Sequence, residues 1–240
     1  MSLPLEICVF NTATAIAAAE AGADRIELCE NYANGGTTPS YGYLKTTREK
    51  VSIPIFPMIR PRGGDYFHSA EEITIIAKDI TLCKELGFEG VVFGLLNQDG
   101  TVDKINTARL VELAYPLDVT FHRAFDRCKD PLEALETIIA CGCTRILTSG
   151  QHPKAPDGKT LIRQMVEQAD DRIIIMPGSG INSTNIQEMI TYTGAKEFHT
   201  SARILRPSQT TYTNPLISED FSQDFTDANE IRKLKQLLSQ

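Results

Sequence analysis

The chain has 240 residues, a formal net charge of −7 and 42% hydrophobic residues. This composition is that of an ordinary globular protein and excludes an intrinsically disordered chain. The acidic balance argues against nucleic-acid binding and membrane-surface binding, because both require basic patches. No apolar run reaches the roughly 18 residues that a membrane span requires.

The six cysteines contain no C-x-x-C pair, so zinc ribbons and thioredoxin-like redox sites are unsupported. The segment Met1–Cys8 has no basic stretch followed by a long apolar stretch, and it therefore does not resemble a secretory signal. We expect a cytoplasmic protein whose thiols are free.

Eight short apolar runs alternate with amphipathic segments along the chain. The runs are rich in Val, Ile, Leu and Phe and show no strict alternation, which is typical of strands buried on both faces. The predicted strands are Leu5–Phe10, Arg25–Cys29, Pro54–Arg60, Gly90–Gly94, Asp118–Arg123, Arg145–Ser149, Arg172–Pro177 and Glu197–Ser201.

Helix-start signals lie between these runs. Ser69 with Glu72 predicts a capping box, Asp130 before Pro131 predicts a second helix start, and Asn182 predicts a third. One sequence pattern recurs four times: a glycine ends a helix, and an apolar strand begins three residues later. Its glycines are Gly22, Gly87, Gly142 and Gly194.

Eight strands with crossover helices and short turns predict an α/β fold, a closed (β/α)8 TIM barrel over residues 1–202. A doubly wound open sheet is the alternative, but the first βα turn lacks the G-x-G-x-x-G motif. Residues 203–240 form a polar segment and a final helix that begins after Asp227. We expect this C-terminal tail to pack on the barrel or on a partner subunit. An ordinary outer helix of the barrel is an equal alternative.

Chemistry in such a barrel lies at the carboxyl ends of the strands. Glu6 and Cys8 on one strand repeat the spacing of Glu27 and Cys29 on the next, and period two places each pair on one face. Buried carboxylates need partners, and Arg60 on the third strand is the expected one. The group predicts either a ligand pocket or a buried ion-pair layer in which the cysteines are small apolar filler.

A glycine-rich loop follows the seventh strand. Gly178, Ser179 and Gly180 can bring backbone N–H groups close to an anion, and the next helix points its positive end toward the same place. Ser201 after the eighth strand adds a donor, at the position where barrels often bind phosphate. The alternative is a tight turn that needs glycine for its geometry alone.

Arginine and histidine residues also lie at the predicted carboxyl ends of the strands. Arg62 lies in a loop with Arg60 and suits carboxylate or phosphate recognition, although a solvated turn is the alternative. His122 and His199 lie at strand ends, where they could act as acid, base or ligand. A hydrogen-bonded core histidine is the simpler interpretation of each.

The sequence resembles the CutC copper-homeostasis family. The resemblance implies a cytoplasmic TIM barrel that forms a homodimer or homotetramer, and it implies copper handling with Cu(I) bound by Cys8 and Cys29. Members often have glycine where Ser179 stands, which would leave an anion-binding loop intact. The matching segments are Leu5–Cys8, Gly22–Cys29, Gly35–Ser40, Met58–Asp65, Val119–Asp126, Leu147–Gly150, Ile175–Ile181 and Glu197–Arg203.

Three functions remain open from the sequence. The first is Cu(I) binding or trafficking by Cys8 and Cys29, since Cu(I) prefers thiolates. The second is an enzyme that acts by general acid/base chemistry on a small anionic metabolite, phosphorylated or sugar-like. The third is a scaffold with vestigial sites. The enzyme hypothesis assigns catalysis to Glu6, Glu27, Arg60 and His122, and ligand binding to Arg62, Gly178, Ser179, Gly180 and Ser201.

Overall fold

Eight parallel strands form the centre of the molecule, each inside a predicted run. The structure is a computed structural model that describes residues 2–212, 214–216, 218 and 221–240. The strands are β1 (Leu5–Val9), β2 (Arg25–Leu28), β3 (Ile55–Pro57), β4 (Gly90–Phe93), β5 (Asp118–Phe121), β6 (Arg145–Thr148), β7 (Ile174–Pro177) and β8 (Phe198–Thr200).

The strands follow one another around a barrel. Hydrogen bonds order them as β3-β2-β1-β8 and as β4-β5-β6-β7, and all pairs within these two sheets are parallel. A bridge between Met58 and Val92 joins β3 to β4. On the other side, the hydroxyl of Thr200, the last residue of β8, donates to the carbonyl of Ile181 after β7 at 2.7 Å. The (β/α)8 barrel predicted from the sequence is confirmed, and the doubly wound sheet is not the fold.

Helices surround the strands. They are α1 (Thr12–Glu20), α2 (Tyr41–Lys50), α3 (Ala70–Glu85), α4 (Lys104–Ala114), α5 (Pro131–Ala140), α6 (Lys159–Ala169), α7 (Ile186–Thr193) and α8 (Ala228–Leu238). The capping box of Ser69 and Glu72 and the cap at Asp130 are present as predicted. The recurrent glycine turn is also present, and Gly22 and Gly142 have φ of 99° and 85°, where a side chain would be strained.

The helix start predicted at Asn182 is wrong. The Asn182 side chain instead accepts from the N–H and hydroxyl of Thr184, and the Asn185 side chain accepts from the N–H of Asn182. These bonds build a separate turn, because a short polar side chain competes with the helix for backbone groups. The helix α7 therefore begins at Ile186.

A buried group of four charges, Glu6, Arg25, Arg145 and Glu197, fills the interior near the start of the strands; we call it the ion-pair layer. Arg25 contacts Glu6, and its Nη2 lies 2.7 Å from Glu197. Arg145 Nε lies 3.0 Å from the same Glu197 carboxylate. Both guanidinium groups lie over the ring of Phe56, at 4.9 and 5.3 Å from its centroid.

Residues after β8 form a hairpin and a last helix. The antiparallel strands β9 (Arg203–Arg206) and β10 (Gln223–Thr226) pair with each other. Helix α8 then buries Ile231, Leu234 and Leu238 against the barrel. The boundary predicted at residue 202 stays a prediction. Among the helices of the described residues, we find none long and apolar enough to cross a bilayer.

Candidate functional site

A cleft opens at the carboxyl ends of the strands, where the chemistry of a barrel is expected. Its volume is about 780 Å³. Seven of the candidate site residues named from the sequence lie in its wall: Cys8, Glu27, His122, Ser179, Gly180, His199 and Ser201.

Two thiols and a carboxylate form a cluster at the cleft wall, which we call the thiol–carboxylate cluster (Cys8, Glu27, Cys29). Cys8 follows Glu6 by two residues on β1 and faces inward, while Glu27 lies beside it in register on β2. The sulfurs of Cys8 and Cys29 are 3.7 Å apart. One ligand atom from each of the three residues lies within 4.8 Å of the other two.

The environment of the thiols is buried and apolar. Cys8 is 8% exposed and Cys29 is 1% exposed, and both pack with Phe56, Met58 and Val92. The hydrogen bond to Cys29, burial and Glu27 raise the pKa of the Cys8 thiol well above its usual range. Burial, with Glu27 nearby, raises the pKa of Cys29 to about 12. Both sulfurs are therefore protonated thiols near neutral pH.

His199 connects the ion-pair layer to the cluster. Its Nδ1 donates to Glu6 at 2.7 Å, and its Nε2 lies 3.8 Å from a Glu27 oxygen. Burial opposes protonation of His199, but Glu27 and Glu6 outweigh it and raise the pKa of the imidazole. The imidazolium is thus favoured between two carboxylates.

The two carboxylates have opposite electrostatic environments. Burial would raise the pKa of Glu6, yet Arg25 and His199 lower it to about 2. Burial dominates at Glu27 and raises its pKa in spite of His199. One Glu27 oxygen, Oε1, is buried without a hydrogen-bond partner among the described residues. Glu6 is a fixed charge, whereas Glu27 has an unused acceptor beside the cleft.

His122 carries a second unused polar atom. Its Nδ1 accepts from the N–H of Ala124 at 3.2 Å, which assigns the proton of the neutral ring to Nε2. Burial and the nearby charge of Arg60 lower the pKa of His122 to about 3. Nε2–H lacks a partner among the described residues, and the ring lines the cleft beside Tyr66, with centroids 5.0 Å apart.

The arginines do not occupy the positions expected from the sequence. The partner of the buried carboxylates is Arg25, not Arg60 as predicted, because Arg60 donates to the carbonyls of Asn34, Gly36 and Gly64. Its guanidinium also lies over the ring of Tyr66 at 4.7 Å from the centroid. Arg60 therefore holds loops that surround the cleft.

Arg62 lies away from the cleft wall. It contacts Glu72 at 2.5 Å and Asp65 at 3.0 Å, so two carboxylates already occupy its guanidinium. Its assignment as an anion ligand stays a prediction.

The loop after β7 lies partly in the cleft wall. Ser179 and Gly180 have φ of 76° and 78°, and the Ser179 hydroxyl donates to the carbonyl of Pro153 at 2.8 Å. Gly178 lies behind the wall, and a Cβ there would come within 2.5 Å of Leu147 and 3.0 Å of His199. Its glycine thus permits close packing. Anion binding by this loop and Ser201 stays a prediction.

The role of Arg25 and Arg145 as partners of the carboxylates was not predicted from the sequence. The signal was present: Arg25, Glu27 and Cys29 alternate along one strand, so period two places all three inside the barrel. Met58 beside the thiols was missed because a methionine in an apolar strand has no distinctive pattern.

Comparison with known proteins gives the same family as the sequence resemblance. The model described as CutC family matches residues 3–204. A human protein named copper homeostasis protein cutC homolog is 44% identical over 96% of this chain and 87% of its own length. A family protein CutC from Parabacteroides distasonis is 47% identical over 95% of this chain and 97% of its own length.

Solved structures are similar to this chain in fold. The crystal structure of the putative copper homeostasis protein CutC from Streptococcus agalactiae is similar with a TM-score of 0.78 and 34% identity, covering 83% of this chain and 98% of that one. Phosphoribosylanthranilate isomerase from Thermotoga maritima, at 10% identity, shares the fold alone, with a TM-score of 0.60 over 99% of this chain and 98% of its own. The cleft, the thiol–carboxylate cluster and the barrel that holds them are those of a chain that belongs to the CutC family.

Proposed function

We propose that this chain takes part in copper homeostasis as a cytoplasmic protein that binds Cu(I) through Cys8 and Cys29. The observation that carries the proposal is the 3.7 Å separation of two buried sulfurs beside an open cleft. The human relative and the streptococcal structure are both named for copper homeostasis, which supports the same ion as cargo.

The chemistry of the donors fits a soft monovalent ion. Thiolates select Cu(I) over harder cations, and two of them provide a low-coordinate site. The apolar surroundings of Phe56, Met58 and Val92 keep water from the sulfurs. No other cluster of three metal-ligating side chains occurs in the part of the chain that the structure describes.

Binding must displace the thiol protons. Because the pKa of Cys29 is about 12 and that of Cys8 is also raised, both thiols are protonated at physiological pH. Each bound Cu(I) then releases about two protons, and the binding constant rises by up to about 100-fold per pH unit below the thiol pKa values. Titrations in weak buffer at pH 6, 7 and 8 measure both quantities.

The test is an anaerobic Cu(I) titration of the reduced protein in competition with a chromophoric chelator. The double variant Cys8→Ser, Cys29→Ser is expected to lose the stoichiometric site. The double variant Cys83→Ser, Cys143→Ser is the matched control, since it removes two other buried free thiols. Equal Cu(I) affinity in wild type and the Cys8, Cys29 variant would overturn the proposal.

A second candidate function is an enzyme acting on a small anionic, phosphorylated or sugar-like metabolite. The specific observation is that His122 Nε2 and Glu27 Oε1 are both buried and unpartnered among the described residues, beside a cleft of about 780 Å³. A neutral imidazole N–H and a carboxylate of raised pKa are suitable groups for general acid/base chemistry.

This candidate is tested by solvent deuterium exchange into triose and pentose phosphates, followed by NMR. Protein-dependent exchange that is lost in Glu27→Gln and His122→Gln supports it. Exchange equal to the buffer blank for every compound rejects this acid/base activity.

Homo-oligomerisation is a further proposal that follows from the family. Light scattering on the purified protein distinguishes a monomer of 26.5 kDa from a homodimer or homotetramer. Fractionation of cells tests the cytoplasmic location.

A further inference from the structure

Glu27 is the one member of the thiol–carboxylate cluster that Cu(I) does not require. A carboxylate oxygen is a hard donor and adds little to Cu(I) bound by two thiolates. Glu27 is nevertheless 3% exposed and ionisable, and its Oε1 is buried without a partner among the described residues. Burying an acceptor without a hydrogen bond costs free energy, so this oxygen points to a ligand.

The spacing of the sulfurs suits tetrahedral coordination. Across the 3.7 Å gap, two metal–sulfur bonds of about 2.3 Å enclose an angle of about 107°, whereas a linear arrangement needs sulfurs about 4.6 Å apart. One carboxylate oxygen of Glu27 lies within 4.8 Å of both sulfurs, so a shift of about 1 Å brings it into the same coordination sphere. Two thiolates and a carboxylate are ligands that Zn²⁺ accepts.

The fourth position of such a centre would face the cleft. Cys8 and Glu27 line the cleft, while Cys29 lies behind them. Three protein ligands with one open position are characteristic of catalytic zinc sites, and structural sites use four.

We infer that Glu27 is the third ligand of a divalent site for Zn²⁺ formed with Cys8 and Cys29, open to the cleft at its fourth position. The inference concerns the site of the proposed function and deepens it: Cu(I) needs the sulfurs alone, and Zn²⁺ also needs Glu27.

The experiment compares Zn²⁺, Co²⁺ and Cu(I) on the reduced full chain. Co²⁺ reports geometry, so one equivalent is expected to give thiolate-to-metal charge transfer in the near ultraviolet and the intense visible bands of a tetrahedral ion. Zn²⁺ is expected to abolish both signals and to release two protons per chain in weak buffer.

Glu27→Gln is expected to lower Zn²⁺ affinity about 10-fold or more in chelator competition and to change Cu(I) affinity less than about 3-fold. Glu30→Gln is the matched control, since Glu30 is an exposed carboxylate just beyond the same strand and should leave both affinities unchanged. Retained Cu(I) stoichiometry in Glu27→Gln shows that the variant is folded.

The outcomes separate the two proposals. Absence of the Co²⁺ charge-transfer band, or equal weakening of Zn²⁺ and Cu(I) in Glu27→Gln, overturns the inference and leaves Cu(I) binding intact. Loss of Cu(I) binding by wild type, with Zn²⁺ still held through Glu27, overturns the proposed function and supports the inference.

Discussion

Two polar regions lie inside the same barrel and differ in how completely their atoms are paired. In the ion-pair layer, Arg25 binds Glu6 and Glu197, and Arg145 also binds Glu197. At the cleft, by contrast, Glu27 Oε1 and His122 Nε2 have no partner among the described residues. Both regions are buried, so burial alone does not distinguish them.

The degree of hydrogen-bond and ion pairing distinguishes buried residues that stabilise the fold from buried residues that are available to a ligand. Buried charges that are fully paired hold the strands in place, and removing one partner is strongly destabilising. Buried polar atoms that are left unpaired lower stability, and those that lie beside a cleft are available to a ligand. His199 contacts Glu6 of the ion-pair layer on one side and lies near Glu27 of the cleft on the other. It therefore links the two regions electrostatically.

The largest effect is expected from breaking the paired region. Arg25→Met leaves Glu6 and Glu197 without their shared partner and should lower the free energy of unfolding by about 3–5 kcal/mol. Urea unfolding measures the change. Arg172→Met breaks an exposed ion pair with Glu136 and is the control, for which little change is expected. Equal effects of the two substitutions would contradict the distinction.

The pH dependence of stability tests the comparison at His122 in the cleft. The folded protein keeps this ring neutral down to a pKa of about 3, while the unfolded chain protonates it below its ordinary 6.5. The contribution of His122 to the free energy of unfolding is therefore lost as pH falls through this window, by about 2.5 kcal/mol between pH 7 and pH 4.5. The raised pKa values of His199 and Glu27 make these two groups act in the opposite direction. In urea unfolding at both pH values, the wild type should therefore lose about 2.5 kcal/mol relative to His122→Gln. The stabilising ionisation of Glu6 is lost mainly below pH 4.5.

The smallest effect on stability is expected at Glu27. Because burial already disfavours its charge and Oε1 has no partner, Glu27→Gln should change the free energy of unfolding by about 1 kcal/mol or less. Glu6→Gln is the paired comparison, and it should cost about 3 kcal/mol because it leaves Arg25 and His199 undercompensated. If urea unfolding shows a larger loss of stability for Glu27→Gln than for Glu6→Gln, Glu27 stabilises the fold as the ion-pair layer does.

Much of the fold follows from local patterns in the sequence. All eight strands lie in apolar runs, and the glycine turns and the caps at Ser69 and Asp130 form as expected. These features depend on neighbouring residues only. The helix start at Asn182 failed because the Asn182 side chain accepts from Thr184 within a separate turn, and a sequence pattern does not distinguish such a turn from a helix cap.

The site could be predicted less completely. Period two correctly placed Glu6 with Cys8, and Glu27 with Cys29, on one face of each strand, since alternation is a property of each strand. That this face is the inner one is seen in the structure. Partner choice is not local: Arg60 and Arg25 differ in position around the barrel and along their strands, and only three-dimensional register decides which reaches Glu6. Whether Oε1 of Glu27 finds a partner depends on distances that no sequence pattern encodes.

Helix α8 completes the outer layer of the barrel by contacting both the first and the seventh outer helix. It lies beside both α1 and α7: Lys235 reaches Asp24 after α1 at 2.5 Å, and the carbonyl of Leu237 accepts from Gln187 of α7 at 2.8 Å. The carbonyl of Leu238 also accepts from the N–H of Leu3 at 3.0 Å. The contacts with Asp24 and Leu3 join residues more than 200 positions apart along the chain. During synthesis on the ribosome, the apolar groove between the outer helices α1 and α7 therefore stays uncovered until helix α8 emerges.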